Sequence, residues 1–387
     1  MELNESSPGE QKKLVTKTDG YWVEYSDGRR FIDLHCGNSA YILGYNDQDV
    51  LDSMRNYPVH FLRGNTGETS ELNEQLINDV CTKGNWSSVA WAVSGSDAVE
   101  AAIAMNDHYW SILGQDKRKI LSFSPGYHGT TMLGRHLRGD FDYLGRAICA
   151  PATSWKVQED QANNEHKVLT VVEYYLKKHK DIGCIIMETI PWLNSVTPYS
   201  QHWWETIRRL CDEHDVLMIV DDVALCYGKN GHLFGYQKYG VQPDISSIGK
   251  SFTAGFSPLG AAVCTKRISE VLHTKPWTYS HTWSPNMQGV AAAVATTKKV
   301  ESLLYRVPTI TKELVSIGQE LGLNYRGDGL LFCYDLPKDY SIADFVNHSR
   351  LSVTLRIPKC LMIIPPLIAD DEYFDIVKSD LKKVLGR

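Results

Sequence analysis

Asp244-Ile245-Ser246-Ser247-Ile248-Gly249-Lys250 brings a lysine to the end of a short apolar run, and Ile219-Val220-Asp221-Asp222-Val223 does the same for a carboxylate upstream. Both stretches predict strands whose last residue is reactive. An amine and a carboxylate at neighbouring strand ends form the pair that Schiff-base chemistry on a pyridine aldehyde requires. The amine condenses with the aldehyde, and the carboxylate keeps the ring nitrogen protonated so that the ring can accept electrons. A carboxylate behind an apolar run also calls for a cationic partner, because burial without one is costly. Each residue taken alone has a plainer account: Lys250 as a structural surface lysine, and Asp221-Asp222 as a solvated strand end or a divalent-metal pair.

Outward from this pair, strand and helix signals alternate. Val89–Val93, Ile120–Phe123, Cys184–Met187, Val216–Val220 and Ala261–Thr265 read as strands. Asp47–Asn56, Ser70–Lys83, Ala98–Leu113, Lys167–His179 and Trp203–His214 read as helices. That rhythm predicts an α/β fold with a mainly parallel sheet covered by helices, and ligands in such sheets bind beyond the carboxyl ends of strands. Tyr21–Leu34 reads as a hairpin about a Ser-Asp-Gly turn, and Asn286–Val315 as one helical stretch leading into an α+β region from Leu323. The expected division is 1–46 as the N-terminal part of a smaller domain, 47–285 as a large domain, and 286–387 as a bridging helix and the rest of the small domain.

The 387 residues are 43% hydrophobic, enough for a sizeable core. Forty basic residues against 46 acidic ones, with no dense Lys/Arg block, give no electrostatic footprint for nucleic acid or an anionic membrane surface. No stretch approaches the roughly 20 apolar residues of a membrane span, and the polar N-terminus lacks the regions of a signal peptide. Nine scattered cysteines without metal-ligand spacing read as reduced small hydrophobes, so no metal site and a cytoplasmic location are expected.

Two more motifs lie at predicted strand ends. Ser94-Gly95-Ser96-Asp97-Ala98-Val99-Glu100-Ala101-Ala102 puts a glycine and two hydroxyls before a helix, which suits a phosphate and equally suits a plain helix cap. Gly126-Tyr127-His128-Gly129 is an aromatic in a glycine turn. In this order, and with Pro258-Leu259-Gly260-Ala261 after the lysine, the chain resembles the class III, omega-type aminotransferases that depend on pyridoxal 5'-phosphate (PLP).

The resemblance implies fold type I, with a mainly parallel seven-stranded sheet in the large domain and a smaller α+β domain. It implies Lys250 as the Schiff-base residue and Asp221 as the partner of the pyridine nitrogen. Ser94, Gly95 and Ser96 would hold the phosphate, Tyr127 and Val223 would cover opposite ring faces, and His128 and Glu188 would line the cofactor. Thr282, next to His281, occupies the place of a hydroxyl that reaches the phosphate of a neighbouring subunit, implying a homodimer with shared sites. Gly37–Gly44 resembles the glutamate-1-semialdehyde aminomutase branch in its substrate-facing loop, and Asn38, Tyr41 and Arg63 are the substrate-side candidates.

The implied activity is amino transfer between an amine or amino acid and a carbonyl acceptor. Aminomutase, racemase or decarboxylase chemistry, or a catalytically idle binding role, remain the alternatives. Ala224 stands where the family usually has Gln or Met, Asp222 where it has Glu, and Thr253 and Ala254 replace glycines after the lysine.

Overall fold

The computed structural model describes residues 14–62, 67–140, 145–152, 160–193, 196–337, 340, 342–356 and 360–386. Its centre is a seven-stranded sheet in the spatial order Ser88–Ala92, Gly260–Cys264, Ile245–Ile248, Leu217–Asp221, Ile182–Glu188, Lys119–Ser124, Ala147–Pro151. Gly260–Cys264 runs antiparallel to both of its neighbours, and the other strands share one direction. The middle strands are buried along their whole length, which is why they read as unbroken apolar runs rather than as alternating ones.

Helices cover the sheet, and short polar side chains fix where they begin. Ser70, Ser94, Thr131 and Ser200 each accept a first-turn N–H at the start of Glu71–Gly84, Gly95–Ile112, Met132–Leu137 and Gln201–Glu213. The hairpin around the Ser-Asp-Gly turn is present as Trp22–Tyr25 paired with Arg30–Asp33, and Val15–Asp19 adds a further strand to it. A second four-stranded sheet is built by Tyr325–Asp328, Leu331–Asp335, Cys360–Ile363 and Thr354–Arg356. No helix of the described residues is long and apolar enough to cross a membrane.

Two expectations change, and one unforeseen strand is added. The stretch from Asn286 to Val315 is two helices, Met287–Leu303 and Val307–Glu320, parted by a 3-10 turn at Leu304–Arg306. Pro308 sits in the first turn of the second helix, where its missing N–H costs nothing; inside one long helix it would break the ladder. The helix expected from Lys167 starts at Gln161, because Asp160 accepts the Ala162 N–H as its cap. Ala147–Pro151, an edge strand too short and mixed to stand out, completes the sheet beside Lys119–Ser124.

Candidate active site

Strand direction decides the site. The shared direction sends the carboxyl ends of six strands to one edge, and there Ser94, Gly95, Ser96, Tyr127, His128, Glu188, Asp221, Val223 and Lys250 line a single pocket. Val99, Gly129, Trp192 and Ala224 complete its wall. Register aligns the carboxylates: Glu188 is the cross-strand partner of Asp221, and Asp221 of Ser247.

Asp221 is buried and its oxygens are engaged. Oδ2 accepts from His128 Nδ1 (2.9 Å), and Oδ1 accepts from the Val223 N–H and the Ser247 hydroxyl, both at 3.2 Å. Burial works against a charged His128 ring, but the hydrogen bond and charge of Asp221 outweigh it and raise the His128 pKa. The second acid turns elsewhere: Asp222 takes the Thr189 hydroxyl and the Gly235 N–H, and burial pushes its pKa up to about 7. Among the acidic pair only Asp221 faces the pocket, an arrangement unlike a two-carboxylate metal site.

Glu188 fastens two aromatic walls. Its Oε1 accepts the backbone N–H of Tyr127 and its Oε2 the backbone N–H of Trp192, each at 2.9 Å. Burial raises its pKa to about 7, against the opposing charge of His128. A carboxyl with a raised folded pKa stabilises the fold below its unfolded value, near 4.5, and that contribution is lost as pH rises through about 7. The Glu188→Gln protein is therefore expected to gain thermal stability relative to the native chain between pH 5 and pH 8, by about 1.4 kcal/mol for each unit of pKa shift removed. Melting curves of the two apoproteins across that range check it; parallel pH dependences would contradict the burial of this charge.

Trp192 is the wall that sequence reasoning missed. Its ring centroid lies 4.4 Å from Lys250 Nζ, and its own ring packs edge-on against His35 at 5.3 Å. The only advance signal was a tryptophan four residues past Glu188. Lys250 itself adopts φ 46, a left-handed backbone at the start of the 3-10 turn Lys250–Thr253. Ala254 ends that turn at φ 48, a conformation that the family's glycine reaches without a steric cost.

Three further candidates, Asn38, Tyr41 and Thr282, lie off the wall. Asn38 is exposed and accepts from His35 Nδ1 through its Oδ1 at 3.0 Å, and Tyr41 packs between Tyr45 and Phe256. Thr282 is exposed, while its neighbour His281 bonds Asp97 (2.8 Å). Arg63 falls outside the described residues.

The pocket's donor set suits a phosphorylated pyridine aldehyde. Ser94 caps Asp97 N–H, and Asp97 in return accepts the Val93 N–H, so the first turn of Gly95–Ile112 is fixed as an anion-facing terminus. Ser96 Oγ accepts the Thr130 N–H, which joins this terminus to the Tyr127 turn. The cradle depends on bare backbone: a Cβ on Gly95 would sit 2.4 Å from Val223 Cγ1, and one on Gly129 2.4 Å from Ser96 Oγ. An amine for the aldehyde and a buried carboxylate for the ring nitrogen share the same pocket.

Comparison with known proteins agrees with this chemistry. The family model described as aminotransferase class III matches residues 6–385. Putrescine–pyruvate aminotransferase of Pseudomonas aeruginosa is 27% identical, over 97% of this chain and 91% of that protein. Acetylornithine aminotransferase of Aquifex aeolicus is 26% identical over 95% of each. An (R)-1-hydroxy-2-aminoethylphosphonate ammonia-lyase of Vibrio splendidus is 24% identical, over 96% of this chain and 85% of that protein. An amine transaminase from an uncultivated Pseudomonas species, solved with PLP bound, shares the fold with a TM-score of 0.91 at 23% identity, covering 100% of this chain and 98% of that one. With its fold type I architecture, the chain belongs to the class III aminotransferases, enzymes that depend on pyridoxal phosphate.

Proposed function

We propose that Lys250 and Asp221 carry the amino transfer, between an amine or amino acid and a carbonyl acceptor. The convergence of Lys250, Asp221 and the Ser94–Ser96 helix start in one pocket supports this reading above all. PLP supplies an aldehyde for the amine and a ring that takes up the electron pair of the substrate carbon. Lys250 Nζ would hold the cofactor through its aldehyde and, as a free amine, would carry the proton as general base and acid. Asp221 keeps positive charge at the ring nitrogen, and His128 orients that carboxylate. Ser94, Gly95 and Ser96 hold the phosphate; Tyr127 and Val223 confine the ring plane.

Thr282, exposed on this chain, would serve the site of a second copy in a homodimer. Nine free cysteines, seven of them buried, fit a cytoplasmic protein. The glutamate-1-semialdehyde aminomutase branch is the finer placement that the Gly37–Gly44 loop supports. Because relatives include an ammonia-lyase, the deciding experiment must follow the amino group. PLP-loaded protein given an amine without any acceptor is expected to release one carbonyl product per site and stop. Continued turnover, or no carbonyl product, would overturn transamination in favour of lyase, mutase or racemase chemistry.

A further inference from the structure

We infer that Trp192 is a specificity-determining residue of this site, setting how large a substituent the reacting carbon of the substrate can carry. The inference rests on Lys250 being the amine that acts on that carbon. A group exchanging protons with Nζ must come within about 3–3.5 Å of it. The indole centroid lies 4.4 Å from the same nitrogen, so any substituent turned to that side meets the ring face.

The ring is held there. Trp192 is buried, its backbone N–H donates to Glu188 Oε2 at 2.9 Å, and its ring edge packs on His35, whose Nδ1 meets Asn38 Oδ1 at 3.0 Å. Glu188 also binds the Tyr127 N–H, so one carboxyl sets the spacing of the two aromatic walls. Asn38 thereby influences the site without touching it, through His35 and Trp192. The substrate class this wall admits is primary amines whose substituent on that side is hydrogen or a slender, flat group; branched bulk is refused.

Aminooxy reagents of graded size test this without turnover. The reagent nitrogen replaces Lys250 Nζ on the cofactor aldehyde carbon, both of its hydrogens pass to the lysine nitrogen that leaves as the free amine, and nothing is oxidised or reduced. On PLP-loaded protein, methoxyamine is expected to react faster than O-benzylhydroxylamine, by the change in cofactor absorbance. Trp192→Ala should narrow that rate ratio by about tenfold or more, and Trp192→Leu by an intermediate factor, while Trp192→Phe keeps it within about threefold. Equal rates in the native protein, or a ratio unmoved in both the alanine and leucine variants, overturn the assignment. A purely structural role would lower both rates together and leave their ratio alone. Size selection that depends on Trp192 in a protein yielding no carbonyl product would sink the transaminase reading and leave this one standing.

Discussion

Lys250→Ala is expected to abolish covalent attachment of PLP and to lower kcat by about 10⁴-fold or more. Removing a general base alone costs about 10²–10⁴-fold, and this substitution also removes the group that tethers and releases the cofactor. The argument is positional. Lys250 leaves the Ile245–Ile248 strand with a left-handed backbone, and the next residue, Ser251, is gripped from two sides. Its hydroxyl accepts from Lys229 Nζ at 2.5 Å and donates to the Ser39 carbonyl at 3.1 Å. The turn is thus anchored beneath the site, and the Lys250 amine stands over the Trp192 face.

Its loss forfeits a cation–π contact of about 0.5–2 kcal/mol, too little to unfold the chain. Borohydride reduction followed by peptide mass analysis should find the phosphopyridoxyl group on Lys250 in the native protein and on no lysine of the variant. Lys229 is the informative control. It is fully buried, outside the pocket wall, with its pKa lowered to about 8 by burial. An adduct appearing there, or undiminished kcat, would remove Lys250 from its proposed role.

Lys250, Asp221 and Ser94–Ser96 were legible because each ends an apolar run. In a mainly parallel sheet a run buried on both faces marks a strand, and the residue after it falls at the ligand-binding edge. Local rules therefore located residues that meet only in three dimensions. What stayed hidden depends on contacts without a local pattern. Trp192 looks like any aromatic after a strand until its ring is seen against the lysine. Lys229 reads as a surface charge, since lysine is almost never fully buried, and only packing shows its ammonium on Ser251. The break at Leu304–Arg306 was obscured by the Ala/Val-rich run before it, although Pro308 stood in the sequence as a signal. Asn38 and Tyr41 were singled out from a loop resemblance, and the fold gives them neighbours one step behind the wall.

Asp221→Asn is expected to reduce kcat by about 10²–10³-fold, the scale of losing one preorganised electrostatic contact to developing charge. An asparagine keeps the shape and one acceptor, so the Val223 and Ser247 contacts can persist at Oδ1. The position now held by Oδ2 becomes an amide N–H₂, which cannot accept from His128 or stabilise a protonated ring nitrogen. Two readouts separate this from a packing defect. His128 owes its raised pKa to Asp221, so its titration, followed by ring-proton NMR, should move down in the variant. A raised histidine pKa stabilises the fold below the unfolded value near 6.5 and that contribution fades as pH rises through the folded one. The variant's stability deficit should therefore be largest in acid and shrink toward alkaline pH, opposite in direction to a loss of carboxylate pairing with a permanent cation. A kcat within about threefold of the native value, with the His128 titration unmoved, would show that Asp221 serves the strand end and not the cofactor ring.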